Sequence, residues 1–112
     1  MRALNLSDVN RMYVALAIHH PKGPKEESIL LNGMRKFGEA QMKFKGLVLT
    51  TPIKDDEAGV LIGLAIWDSK EHFLSAWQEL SRTEPERRAA DGVVFEELED
   101  TPHQVYSGEP PQ

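Results

Sequence analysis

Apolar and polar positions along the chain divide it into short strands and two helices. Residues 12–19 place Tyr13, Ala15, Ala17 and His19 on one side and Val14, Leu16 and Ile18 on the other, the two-residue period of a strand. The run His20-Pro21-Lys22-Gly23-Pro24 interrupts it, because Pro and Gly punctuate regular structure. Over residues 25–44 the period changes. Leu30, Met34, Phe37, Gln41 and Phe44 recur at helical spacing, and Gly33 and Ala40 lie beside them. Gly33 costs such a helix roughly 1 kcal/mol relative to Ala, a cost offset if it lets the helix approach a sheet closely. Gly46 suits a helix stop. Residues 47–53 and 58–67 read as two strands joined by the charged turn Lys54-Asp55-Asp56-Glu57.

The second strand of that hairpin leads into the most informative segment, residues 60–80, VLIGLAIWDSKEHFLSAWQEL. Trp67 closes the strand. Either Asp68 or Ser69 can cap the helix that follows, and Asp68 with Glu71 has capping-box spacing. Phe73, Trp77 and Leu80 share one face of this helix, which is expected to run to about residue 82. Pro85 then suits the first turn of a separate short helix ending at Asp91-Gly92. Residues 93–98 are the expected fourth strand, and residues 103–106 could add one more edge strand. Residues 1–11 are a polar, aperiodic arm, residues 12–107 one domain and residues 108–112 a Pro-rich tail.

The order β-α-β-β-α-β predicts an α+β, ferredoxin-like sandwich: an antiparallel sheet with both helices on one face. The other sheet face then needs a cover, and a homodimer that buries two such faces against each other would supply it.

Composition narrows the function classes. The 112 residues are 40% hydrophobic and fit one domain with a modest core. The net charge of −5 and the absence of long basic clusters argue against nucleic-acid and anionic-membrane partners. No apolar run approaches bilayer length, and no secretory leader pattern opens the chain. There is no Cys, hence no disulfide, thiol nucleophile or thiolate metal site. A cytoplasmic protein is expected.

Strands 1 and 3 each present a row of small residues ending in a larger group: Ala15, Ala17, His19 and Leu61, Gly63, Ala65, Trp67. Either a helix packs tightly on this patch, or a flat ligand lies there. In the second case Tyr13, His19, Trp67, Phe73 and Trp77 are the expected walls, and such walls suit an aromatic or quinone-like ligand. His19 is a candidate general base with a pKa near neutrality, or else a solvated strand end. Gln41 is either a helix-end amide or a polar contact into the cavity. His20, His72 and His103 form no metal-ligand spacing, and His103 could reach the patch only if the tail folds back. The acidic run Glu96, Glu97, Glu99 and Asp100 reads as a solvated edge. No P-loop, dinucleotide-binding glycine pattern or nucleophile elbow is present.

Taken with this element order, the segment Ala65-Ile66-Trp67-Asp68-Ser69-Lys70-Glu71-His72-Phe73 resembles the antibiotic biosynthesis monooxygenase-like family of the dimeric α/β barrel superfamily. That family commonly carries a W-x-S-x-x-x-F signature, matched by Trp67, Ser69 and Phe73. The resemblance covers residues 12–107. It implies a homodimeric barrel with a ligand cleft between sheet and helices in each subunit. Activities in the family include cofactor-independent oxygenation of polycyclic aromatics, haem degradation and quinol oxidation. Trp67 matches the strand-end Trp of the polyketide-oxidising members, and Arg87 or Arg88 falls near a helix Arg of their cleft. Phe73 and Gly63 stand where those members place Tyr and Asn. The haem-degrading members use an Asn on strand 1, a Trp on helix 2 and a His shortly after it; here Trp77 alone stands near its position.

The expectation is therefore a monooxygenase with no bound cofactor, acting on a small aromatic or quinol-type substrate. Trp67 would shape the cleft, His19 would be the base, Arg87 or Arg88 would stabilise an anionic intermediate, and Tyr13, Gln41, Phe73 and Trp77 would bind substrate. The alternatives are a non-catalytic ligand-binding or stress-associated dimer, or a haem-binding protein with His19 or His72 as axial ligand.

Overall fold

A computed structural model describes residues 11–91 and 103–111, with the side chains of 88–91 outside the description. Strand β1 is Tyr13–His19, helix α1 Pro24–Gln41, β2 Leu47–Asp55, β3 Val60–Trp67, α2 Lys70–Asp91 and β4 Gln104–Gly108. The four strands form one antiparallel sheet in the order β2-β3-β1-β4. This is the ferredoxin-like α+β arrangement expected from the element order.

Several boundaries differ from the sequence reading for identifiable reasons. Pro24 belongs to α1 as its first residue, where its fixed φ and missing N–H are harmless. Helix α1 ends at Gln41 rather than Phe44. Ser69, not Asp68, caps α2: its Oγ accepts the His72 N–H at 3.2 Å. The Asp68 carboxylate instead holds His72 Nδ1 at 2.6 Å. The expected break before Pro85 does not occur, and α2 runs through it. Pro85 offers no N–H to the Ser81 carbonyl one turn before it, and side chains add bonds to two other carbonyls of that turn. Thr83 Oγ1 donates to the Glu79 carbonyl at 2.9 Å, and Arg87 Nη2 to the Leu80 carbonyl at 2.5 Å. The expected strand at 93–98 and the acidic run on and after it lie outside the described residues. Among the described residues the sheet's fourth strand is the tail segment β4, antiparallel to β1 with Leu16 opposite Tyr106 and Ala17 opposite Val105.

Both helices cover the sheet face that carries Tyr13, Leu61, Ala65 and Trp67. With Phe73, Ala76 and Leu80 from α2, these residues form most of the buried core. Two glycines position the layers. Gly38 is where α1 lies against β2, since a Cβ there would already touch Thr50 Cγ2 at 3.5 Å. Gly46 sits at φ +97° in the turn before β2 and faces His72 so closely that a Cβ would lie 2.5 Å from that residue's own Cβ. Its carbonyl accepts the Asp68 N–H at 2.7 Å, which joins the two turns flanking Trp67.

The opposite sheet face carries Val14, Leu16 and Ile18 of β1 in register with Ile66, Leu64 and Ile62 of β3. Leu49 and Ile53 of β2 extend this apolar surface. Among the described residues, no helix lies over it.

Candidate functional site

The small residues of β1 and β3 are not filled by tight helix packing. A cavity of about 340 Å³ lies over them. Its floor includes Ala15, Ala17, Gly63 and Ala65, and its helical walls include Met34, Phe37, Phe73, Trp77 and Leu80. From Ala15 to His19 the floor spans about 13 Å at the usual rise per strand residue.

One end is aromatic. Phe73 lies stacked with Trp77, ring centroids 5.9 Å apart and planes 18° apart. Trp67 meets Phe73 edge to face at 6.2 Å, and Phe37 meets Trp77 likewise at 6.2 Å. Such edge and offset contacts are the favoured geometries of quadrupolar rings. Trp77 is 46% exposed and forms the rim, whereas Trp67 is 1% exposed. The Trp67 indole N–H is buried and has no hydrogen-bond partner among the described residues, an omission that typically costs about 1–3 kcal/mol.

Polar groups are few and localised. Arg87 lines the cavity with its guanidinium 5.7 Å from the Phe37 ring centroid. Its Nε donates to Thr83 Oγ1 at 3.3 Å, and its Nη2 bond to the Leu80 carbonyl fixes the group further. Two of its five N–H donors are thus used in positioning. Gln41, 6% exposed, is the buried polar residue of the wall. His19 and His103 close the other end of the cavity, with rings stacked at 4.8 Å and 20°. Burial first, then the nearby His103 and His20, hold the His19 imidazole below its usual pKa.

The structure thus brings His19, Gln41, Trp67, Phe73, Trp77 and Arg87 to one cavity. Tyr13 is not among its lining residues. It is buried behind Phe73, ring centroids 4.8 Å apart, and its hydroxyl donates to Ser107 Oγ at 2.9 Å. The Arg88 side chain lies outside the description. His72 is engaged with Asp68 and does not line the cavity. The residue missed by sequence reasoning is His103. Its signal was the possible edge strand at 103–106, which becomes informative only when paired with β1. No group of three or more His, Asp or Glu among the described residues is placed to hold a metal ion. A haem-degrading triad is not assembled either: β1 contains no Asn, and His103 stands beside His19 rather than near Trp77.

Nine-tenths or more of the chain superimposes on each of three solved structures with this architecture. ActVA-Orf6 of Streptomyces coelicolor, a monooxygenase solved in complex with nanaomycin D, matches with a TM-score of 0.64 and 14% identity over 97% of this chain and 96% of its own. A mutant of SnoaB, a cofactor-independent oxygenase from Streptomyces nogalater, matches with a TM-score of 0.62 and 13% identity over 90% of this chain and 94% of its own. A candidate antibiotic biosynthesis monooxygenase from Nitrosomonas europaea gives 0.61 and 11% over 90% and 91%. This is the antibiotic biosynthesis monooxygenase-like fold. No protein-family model and no curated protein matches the sequence. At these identities the antibiotic biosynthesis monooxygenase-like likeness is one of architecture, and chemistry has to be argued from the cavity. No helix among the described residues is long and apolar enough to cross a membrane.

Proposed function

We propose that this chain is a small oxygenase that acts, without a bound cofactor, on an electron-rich aromatic or quinol-type molecule held between sheet and helices. The observation that carries this reading is the 340 Å³ cavity, aromatic at one end and histidine-lined at the other. Apolar walls with a few placed polar groups suit a flat, largely apolar ligand. His19, whose pKa is lowered by burial and by the neighbouring imidazoles, would take a proton from the bound substrate. The resulting anion would give electrons to O₂, and the oxygen adduct would collapse to a carbonyl with loss of water. For an anthrone the balance is one CH₂ and one O₂ converted to one C=O and one H₂O. Arg87 retains N–H donors to stabilise the anion.

Oxygen uptake with a panel of quinols and anthrones tests the proposal. Uptake should exceed that of heat-inactivated protein and fall at least tenfold in His19→Ala. Uptake no faster than the inactivated control with every substrate would overturn it.

A second reading, a binding protein without turnover, is favoured by one feature. Gly63 and Phe73 contribute no polar side-chain atom to the cavity. That reading predicts thermal stabilisation by the same molecules with no oxygen consumed.

We also propose that two copies pair through the open sheet face, because Val14, Leu16, Ile18, Ile62, Leu64 and Ile66 form a continuous apolar surface across two central strands.

A further inference from the structure

We propose that His19 and His103 act together as a two-imidazole clamp that binds and deprotonates the hydroxylated edge of a planar aromatic substrate. This makes His103 a second catalytic group, and it rests on the aromatic-cavity reading above.

The fold creates the pair from residues 84 positions apart in the sequence. Antiparallel pairing sets Ile18 opposite Gln104, so the next step along each chain places His19 beside His103. Their rings stack at 4.8 Å and 20° and line the same cavity. Both residues line the same end of the cavity, His19 half-buried and His103 exposed at its mouth. Each neutral imidazole carries one donor and one acceptor nitrogen. Two stacked rings therefore present a pair of such groups side by side, a spacing that suits neighbouring oxygen functions on one edge of a flat molecule. The other end of the cavity, at Phe73 and Trp77, receives the apolar rings.

The proton balance follows from the same geometry. Positive charge on the neighbouring ring disfavours a second charge on His19. When a phenolic O–H bond breaks, one ring gains an N–H bond and becomes imidazolium, and the substrate becomes a phenolate. The other ring stays neutral and hydrogen-bonds the neighbouring oxygen. The remaining charged groups lining the cavity are Glu26 and Lys36 from α1 and Glu84 and Arg87 from α2. His20 adjoins the pair on the chain and is exposed.

The test uses 1,2-dihydroxyanthraquinone, whose visible band moves to the red when a phenolic proton is lost, and unsubstituted anthraquinone. Binding is read separately from quenching of Trp67 and Trp77 fluorescence. Wild type should quench with both compounds and show the red-shifted band with the first. His103→Phe keeps a flat ring just before β4 but removes both nitrogens. It should lose the red-shifted band and bind the dihydroxy compound about tenfold more weakly, the size of a lost hydrogen bond to a charged group, with less than a twofold change for anthraquinone. His19→Phe should behave the same way. An unchanged band and affinity in His103→Phe, with quenching intact, would overturn the clamp alone. Absence of quenching by either compound in wild type would overturn the aromatic-cavity reading and the clamp with it.

Discussion

Replacing Gly46 by Ala should unfold the protein at a markedly lower temperature, by two separable physical effects. The first is conformational. Gly46 sits at φ +97°, where an L side chain is disfavoured by roughly 1–2 kcal/mol. The second is steric. An added Cβ would lie 2.5 Å from His72 Cβ and 2.6 Å from its Nδ1. His72 cannot yield by rotating a flexible end, since the first clash is with its own Cβ on helix α2. Backbone must move, at a cost of about 1–3 kcal/mol for overpacking. That movement also strains the 2.7 Å bond from the Asp68 N–H to the Gly46 carbonyl. The sum is about 2–5 kcal/mol, a large share of the 5–15 kcal/mol typical of a domain. For a chain of this length it corresponds to a fall in Tm of roughly 8–20 °C. Urea and thermal denaturation followed by tryptophan fluorescence measure it. A double-mutant cycle with His72→Gly isolates the steric part: removing the His72 Cβ should restore about 1–3 kcal/mol in the Gly46→Ala background. A loss below about 0.5 kcal/mol in Gly46→Ala, or no coupling to His72→Gly, would refute the account.

Three further outcomes follow from the site and the sheet. His19 has its folded pKa below its unfolded value, so the unfolded chain binds more protons in that window. Its contribution should leave stability undiminished above the unfolded value and reduce it as pH falls toward the folded one; the difference in urea midpoint between wild type and His19→Gln across pH 7 to 5 checks the sign. Thr83→Val removes the donor to the Glu79 carbonyl and the acceptor for Arg87 Nε. It should destabilise by about 0.5–1.5 kcal/mol and weaken binding of anionic aromatics more than of neutral ones, as titration by fluorescence would show. Leu16→Lys with Leu64→Lys, on the open sheet face, should give a folded monomer at micromolar concentration in sedimentation, where the proposed pairing makes wild type a dimer. A wild-type monomer would refute the pairing proposed for that face.

The element order was legible because each segment buries one face: period two in residues 13–19 and 60–67, and helical period in residues 30–41 and 73–80. Trp67, Phe73 and Trp77 could be placed near one another because a strand end, a capped turn and one helix face fix their relation locally. Pro85 was misleading, because helix α2 continues through it and no local pattern announces that. Tyr13 was assigned to the cavity by its face of the strand, but its depth behind Phe73 and its bond to Ser107 depend on packing.

By itself the sequence determined the alternation, the helix faces, the charge and the row of small residues on two strands, because these follow from covalent order and side-chain chemistry. Only the tertiary structure decided that the small-residue floor lies under a cavity rather than a tightly packed helix. It also decided that residues 104–108 pair with β1, which carries His103 to His19, and that Gly46 must be glycine because His72 of a distant helix occupies the space. Each of these depends on pairing between segments far apart in the chain, and the energy of such pairing belongs to the assembled layers rather than to any one segment.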